Sequence, residues 1–285
     1  MECSSVLLGI CQMAVTSDKA LNIQKAERML KEAARSRCQI AILPEMFNCP
    51  YEASLFSGYS ERFNDGDTLR MLSATAAKER ISIVGGSIPE RDKYGNLYNT
   101  SFIFDNRGQL AGRHRKIHLF DVAIAGGTVF KESSILSPGQ DITVVNIAGL
   151  TLGIGICYDI RFPELSRLMA LKGAQILIFP GVFGLTTGPA HWELLIRSRA
   201  VDNQSFVVGA APANNPEANY EVYGHSMAVD PWGRTLQMTG TDEQLLVVEI
   251  NLDLINTVRR ELPLLQHRRT DIYTLREENR NDISL

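Results

Sequence analysis

The stretch LKEAARSRCQIAILPE (residues 30–45) is echoed by LMALKGAQILIFPG (residues 168–181). Each leaves a helical pattern, passes a short turn, enters an apolar strand and meets a proline, Pro44 or Pro180. Proline has no N–H to give a sheet ladder, so both strands are predicted to stop there. A short apolar run bounded by turns reads as a strand buried on both faces, as in parallel sheets covered by helices. The echo predicts one domain over residues 1–285 made of two similar αβ halves, with an ordered core at about 6–273 and a frayed tail at 274–285. Length alone suggests roughly two domains; the echo argues for one built twice.

Outward from these two strands, helices and strands alternate. Residues 6–14 read as a strand, and 18–37 as an amphipathic helix with Leu21, Ala26, Met29, Leu30 and Ala33 at helical spacing. Residues 67–80, 189–203 and 252–261 read as further helices, and another begins at Pro163 and ends near Gly173. Strands are predicted at 81–87, 143–147, 150–156, 205–211 and 246–250. Asn106-Arg107-Gly108 joins 99–105 to 109–116 as a hairpin, and Pro231-Trp232-Gly233 marks a turn between two more strands. This order indicates an α/β layered fold. Ligands in such folds sit beyond the carboxyl ends of strands, which directs attention to Glu45, Lys116, Cys157 and the residues after Pro180.

Composition removes several classes. The 285 residues are 45% hydrophobic and 21% charged, as in ordinary globular chains. A net charge of -3 offers no general attraction for nucleic acid or a membrane surface. No apolar run approaches the ~18 residues of a membrane span, and the N-terminus lacks a secretory pattern. Cys3, Cys11, Cys38, Cys49 and Cys157 are odd in number and without CxxC spacing, so neither a disulfide framework nor a zinc site is expected. A reducing, cytoplasmic location is the expectation. The sequence patterns of zinc hydrolases, serine hydrolases, dinucleotide binders and P-loop proteins are absent.

Three residues could carry chemistry, each with a plainer reading beside it. Cys157, in GIGICYDIRFPE (153–164), ends a strand just before a helix, where a thiol can meet a ligand; alternatively it is a small buried hydrophobe. Glu45 follows an apolar strand, where desolvation raises a carboxyl toward general-base use; otherwise it is an exposed loop acid. In GRHRKIHLFD (112–121), strand alternation sends Lys116 inward with His114 and His118, while a solvated basic face is the other reading. An inward ammonium near Cys157 is expected to lower the thiol pKa and to bind an oxyanion.

Taken in order, LPEMF (43–47), HRKIHLFD (114–121) and GIGICYDIRFPE resemble the nitrilase, or carbon–nitrogen hydrolase, superfamily over about residues 6–273. The resemblance implies an α-β-β-α sandwich with internal pseudo-symmetry, homodimers or larger homo-oligomers, a small-molecule amide substrate, and neither metal nor organic cofactor. It also implies a second glutamate, matched by Glu132, as partner of Lys116 or of the leaving group. In the implied reaction Glu45 takes the thiol proton as Cys157 attacks. Lys116 and a backbone N–H, that of Tyr158, hold the oxyanion, and a thioester forms and is hydrolysed.

Within that superfamily CYDIRFPE departs from the Cys-Trp-Glu signature of true nitrilases, which disfavours nitriles. GVFGLTTGPAHWELL (181–195) and RAVDNQ (199–204) are similar to the omega-amidase branch, whose members hydrolyse monoamides of dicarboxylic acids such as 2-oxoglutaramate and 2-oxosuccinamate. That similarity assigns Arg161 to the distal carboxylate, and Phe183 and Thr187 to the pocket as apolar wall and hydroxyl donor. Arg161 has a second reading, a helix-start salt bridge with Glu164 or Asp159. GHSMAVDPWG (224–233) and LPLLQHRR (262–269) look closer to the branch that hydrolyses deaminated glutathione. Two other classes stay open: a catalytically silent binding protein on the same fold, and a papain-like Cys–His enzyme using His191 or His225.

Overall fold

Two β-sheets stack through the apolar faces of their strands, and helices cover both outer faces. The computed structural model describes residues 5–63 and 65–278; Cys3 and residues 279–285 of the expected tail lie outside the described residues. The first sheet contains β1 (Ser5–Gln12), β2 (Ile40–Ile42), β3 (Ser82–Val84), β4 (Ile88–Arg91), β5 (Leu97–Phe104) and β6 (Leu110–Arg115). A separate hairpin, β7 (Asp121–Ala123) and β8 (Val129–Lys131), follows. The second sheet contains β9 (Thr143–Ile147), β10 (Leu150–Ile154), β11 (Ile176–Pro180), β12 (Phe206–Ala210), β13 (Met227–Val229) and β14 (Thr235–Met238). β15 (Gln244–Asn251) then returns to the first sheet beside β1.

The strand orders account for the repeated sequence. The first sheet runs β15-β1-β2-β3-β5-β4, with β6 beside β5, and the second runs β14-β13-β12-β11-β10-β9. In each, a parallel trio is flanked by antiparallel strands: β1, β2 and β3 lie between β15 and β5, and β10, β11 and β12 between β9 and β13. β2 and β11 are the middle strands of the two trios, and they are the two echoed apolar runs.

Side-chain alternation then builds the layers. Leu8, Ile10, Ile40 and Ile42 from one sheet pack against Ile154, Ile176, Ile178 and Val208 from the other in one buried cluster. Cys11, Ala41 and Ile83 face outward beneath α1 (Lys19–Arg35) and α3 (Asp67–Glu79), which follows α2 (Ala53–Tyr59). Leu177, Phe179 and Val207 face outward beneath α4 (Pro163–Leu171) and α5 (Gly188–Asn203). Middle strands are thus apolar on both faces, as parallel sheets between helices require. The helix α1 starts where Asp18 accepts the Leu21 N–H at 3.0 Å and buries Ala26, Met29, Leu30 and Ala33. No helix of the described residues is long and apolar enough to cross a membrane.

Some local expectations change. Pro180 is the last residue of β11 rather than the first beyond it, and stands opposite Ala210. The next N–H, of Gly181, reaches Ala210 O at 2.9 Å, so the donor Pro180 lacks points to the side where β10 has already ended. The strand β4 was not apparent because it contains Pro89, and it lies at the sheet edge, where proline is tolerated.

Close approach explains the glycines of β10 and the turn after it. A Cβ on Gly153 would lie 2.7 Å from Met169 Sδ on α4, and one on Gly155 would lie 2.5 Å from Phe179 Cε1. The variant Gly155→Ala is expected to destabilise the protein by roughly 1–3 kcal/mol through overpacking. Urea unfolding should show a lower midpoint at unchanged slope.

Candidate active site

The segments that leave β2, β6 and β11, and the turn after β10, meet around one buried ammonium. Lys116 Nζ donates to Glu45 Oε1 at 3.0 Å and to Glu132 Oε1 at 2.9 Å. Glu45 also accepts from Asn99 Nδ2 at 2.8 Å on Oε1 and from the Val182 N–H at 2.7 Å on Oε2. Glu132 accepts the Tyr51 hydroxyl at 3.0 Å and the Phe120 N–H at 2.7 Å. The Cys157 thiol donates to Val182 O at 3.5 Å, and Glu45 is near enough to act on its ionisation. All four of the ionisable groups Glu45, Lys116, Glu132 and Cys157 are buried.

Local backbone geometry presents these side chains. Cys157 has φ 47 and Met46, directly after Glu45, has φ 50. Left-handed backbone at a residue other than glycine costs about 1–3 kcal/mol and persists only where its surroundings enforce it. The chain turns at once from Cys157 into a 3₁₀ segment (Cys157–Arg161) and then into α4 at Pro163. The echo also breaks here for a steric reason. Gly181 occupies the place in the second half that Glu45 occupies in the first, and a Cβ on it would be 3.2 Å from Cys157 Cα.

Burial and charge act together on the titrating groups. Burial pushes the Glu45 carboxyl up, against the pull of Lys116. Burial also works against the Lys116 charge, but Glu132 and Glu45 outweigh it and hold the ammonium well above its ordinary value. The Cys157 thiol is pushed well above its usual range by burial and then by Glu45, against Lys116. Lys116 does pull the thiol pKa down, as expected, but burial and the two carboxylates outweigh it. The resting thiol keeps its proton.

The other predicted residues form a separate group. The Arg161 guanidinium lies 5.0 Å from the Phe183 ring centre and 5.8 Å from that of Tyr158, and its Nη1 is 3.2 Å from His191 Nδ1. Arg161 forms no ion pair among the described residues, and Asp159 is taken up by His114 and His118. Phe183 packs on Trp192 with ring centres 4.8 Å apart. Thr187 is half-buried at the start of α5, where its hydroxyl does not cap the helix. A cavity of about 200 Å³ reaches Glu45 between residues 45–55 and 212–222, walled by Tyr51, Val182 and Tyr220; Arg161, Phe183 and Thr187 stand outside that wall. His225 is engaged with Tyr223 O at 2.6 Å. The thiol's hydrogen-bond partner is the Val182 carbonyl, and the imidazoles of His191 and His225 are engaged elsewhere rather than in a papain-like pair.

Sequence reasoning missed Asn99, Tyr51 and Val182. A signal existed for Asn99, since Asn99-Thr100-Ser101 puts consecutive polar residues in an otherwise apolar strand, and all are fully buried. Val182 contributes only its backbone, which no side-chain pattern can reveal.

A buried thiol, two carboxylates and an ammonium gathered on two helix-covered sheets match the arrangement that the nitrilase resemblance implies. The sequence profile described as Carbon-nitrogen hydrolase matches residues 7–260. The chain belongs to the carbon–nitrogen hydrolase family and is an amidase-class enzyme. It is similar to the omega-amidase NIT2 of Mus musculus, 44% identical over 272 residues, covering 95% of this chain and 98% of that protein. It is 46% identical over 265 residues to nitrilase homolog 2 of Dictyostelium discoideum, covering 93% and 80%. Among solved structures, Saccharomyces cerevisiae Nit3, a member of branch 10 of the nitrilase superfamily, superposes with TM-score 0.86 at 39% identity, covering 93% of this chain and 97% of Nit3.

Replacing Lys116 by Met leaves Glu45 and Glu132 without their shared cation. Loss of one partner from a buried ionic cluster costs about 3–5 kcal/mol. Glu45 has a folded pKa above its unfolded value, so its neutral form is favoured by folding and stability rises as pH falls through the folded pKa. The Lys116→Met deficit, measured by urea unfolding, should therefore be larger at pH 8 than at pH 5.

Proposed function

We propose that the chain is an omega-amidase that hydrolyses monoamides of dicarboxylic acids, such as 2-oxoglutaramate and 2-oxosuccinamate, to the dicarboxylate and ammonia. The observation that carries this reading is the buried cluster in which Lys116 bonds to Glu45, while Val182 gives its N–H to Glu45 and takes the Cys157 thiol on its carbonyl. The 44% identity to the mouse omega-amidase over nearly the whole of both chains supports the substrate class.

The chemistry follows from the proton inventory. The thiol is protonated at rest, so attack needs a base, and Glu45, the carboxylate that acts most strongly on its ionisation, is assigned that role. As Sγ bonds to the amide carbon, its proton passes to Glu45 and the carbonyl oxygen becomes an oxyanion. Glu45 and Glu132 engage two of the three N–H donors of Lys116, which leaves one for that oxyanion. The Tyr158 N–H, next along the turn, is the second donor. The oxyanion then collapses, the C–N bond breaks, and nitrogen takes the proton from Glu45 and leaves as ammonia. Glu45 next removes a proton from water, whose oxygen attacks the thioester carbon. Collapse of this second adduct breaks the C–S bond, and the sulfur regains a proton from Glu45 as the acid departs.

Glu132 holds Lys116 and shares it with Glu45. By likeness to the omega-amidases, and not from the cavity beside Glu45, Arg161, backed by Phe183 and Tyr158, is assigned to the distal carboxylate and the Thr187 hydroxyl to the same side. The described cysteines Cys11, Cys38, Cys49 and Cys157 are all free, which fits work in the reducing cytoplasm. A homodimer is part of the reading; exposed Leu194, Val201 and Trp232 lie around one surface depression and offer an apolar contact.

Purified protein should release ammonia from 2-oxoglutaramate faster than 2-oxoglutarate from deaminated glutathione, and Cys157→Ala should release none while remaining folded. An Ala variant that still turns over defeats the mechanism. Arg161→Met is expected to lower kcat/KM for 2-oxoglutaramate by roughly 10–10²-fold, the loss of a charge-assisted hydrogen bond of about 1.5–3 kcal/mol. A neutral amide of the same length should be hydrolysed equally by wild type and Arg161→Met.

A further inference from the structure

Asp159 is a fully buried carboxylate that the proposed reaction does not use, and it lies between the segments that carry Lys116 and Cys157. Its Oδ2 accepts the Ile156 N–H at 2.9 Å and lies 3.0 Å from His114 Nε2. Its Oδ1 accepts the His118 N–H at 2.9 Å and lies 2.7 Å from His118 Nδ1. Ile156 immediately precedes Cys157, while His114 and His118 flank Lys116 two residues to either side. One carboxylate therefore grips the backbone ahead of the thiol and both sides of the ammonium.

No sheet ladder does this job. Lys116 follows β6 of the first sheet and Cys157 follows β10 of the second, so their spacing is set across the interface between layers. The histidines are themselves held. His114 Nδ1 lies 3.0 Å from Thr143 Oγ1 on β9, and the His118 ring stacks on Phe162 with centres 3.6 Å apart and planes 8° apart. Burial works against the Asp159 charge, yet the bonds from His114 and His118 outweigh it and keep the carboxyl well below its ordinary range. Bonds to a fixed charge are short and directional, which suits a spacer between two reacting groups.

We propose that Asp159 is a positioning residue, a carboxylate clamp that acts through Ile156, His114 and His118 to hold Lys116 and Cys157 at the spacing from which both reach one carbonyl group. The proposal rests on the amidase reading for its activity readout. Misplacement of reacting groups by about 1 Å costs on the order of 10²-fold in rate. Asp159→Asn keeps the shape but presents an NH₂ donor to one of the two donor pairs. It is expected to lower kcat on 2-oxoglutaramate by about 10²-fold while KM stays within about threefold.

His118 supplies a test that does not depend on replacing a buried charge, since its ring is partly exposed. His118→Ala deletes the ring donor and should lose about tenfold in kcat, whereas His118→Asn places an amide donor near the former Nδ1 and should recover most of that rate. Alkylation of Cys157 by chloroacetamide, followed by intact mass, reads the same geometry without the natural substrate. Asp159→Asn and His118→Ala should be alkylated more slowly than wild type. If wild type releases no ammonia, the amidase reading fails and the alkylation arm alone decides the clamp. The clamp is overturned if folded Asp159→Asn keeps kcat within about twofold of wild type, if only KM changes, if His118→Asn loses as much as His118→Ala, or if both Asp159→Asn and His118→Ala are alkylated as fast as wild type. If Asp159→Asn does not fold, the His118 pair decides.

Discussion

The ion cluster of Lys116 with Glu45 and Glu132 is the constraint on which the site depends. An ammonium removed from water is tolerable only when its charge is matched and its hydrogens are directed. Two carboxylates meet that demand, and each is in turn satisfied by donors from elsewhere in the chain: Asn99 and Val182 for Glu45, Tyr51 and Phe120 for Glu132. The cluster thus ties together parts of both sheets. It also bears on Cys157, where burial and the carboxylates together outweigh the pull of the ammonium and keep the thiol protonated.

The duplicated architecture is used asymmetrically. Both halves follow the apolar run of their middle strand with a proline, yet the first continues with Glu45 and the second with Gly181. The glycine leaves room for the Cys157 backbone, and the next residue, Val182, turns its N–H to Glu45 and its carbonyl to the thiol. One half provides the carboxylate and the other the space beside it. The site sits between the halves because neither contains all of it.

Holding this arrangement works against stability. Left-handed backbone at Cys157 and Met46, and buried charge at Glu45, Lys116, Glu132 and Asp159, are features that a protein selected for stability alone has no reason to keep. The cores on either face of the sheets offset them. Leu177, Phe179 and Val207 pack beneath α4 and α5, directly behind the strands whose ends carry the thiol and its neighbours.

Much of this was legible in the residues. The apolar echo at 40–43 and 176–179, the helix spacing of α1 and the hairpin at Asn106-Arg107-Gly108 are local patterns, and local backbone and burial preferences decide them. Alternation through His114, Lys116 and His118 is equally local, and it gave the inward lysine. Strand β4, the helix α2, the roles of Asn99 and Tyr51, and the grip of Asp159 were decided by tertiary structure, because each depends on partners distant in the chain. The direction of the Cys157 shift is the clearest case. A sequence can place a lysine near a cysteine, but electrostatic effect depends on every charge within a few ångströms and on the water excluded, and only the folded chain brings Glu45 and Glu132 to the same ammonium.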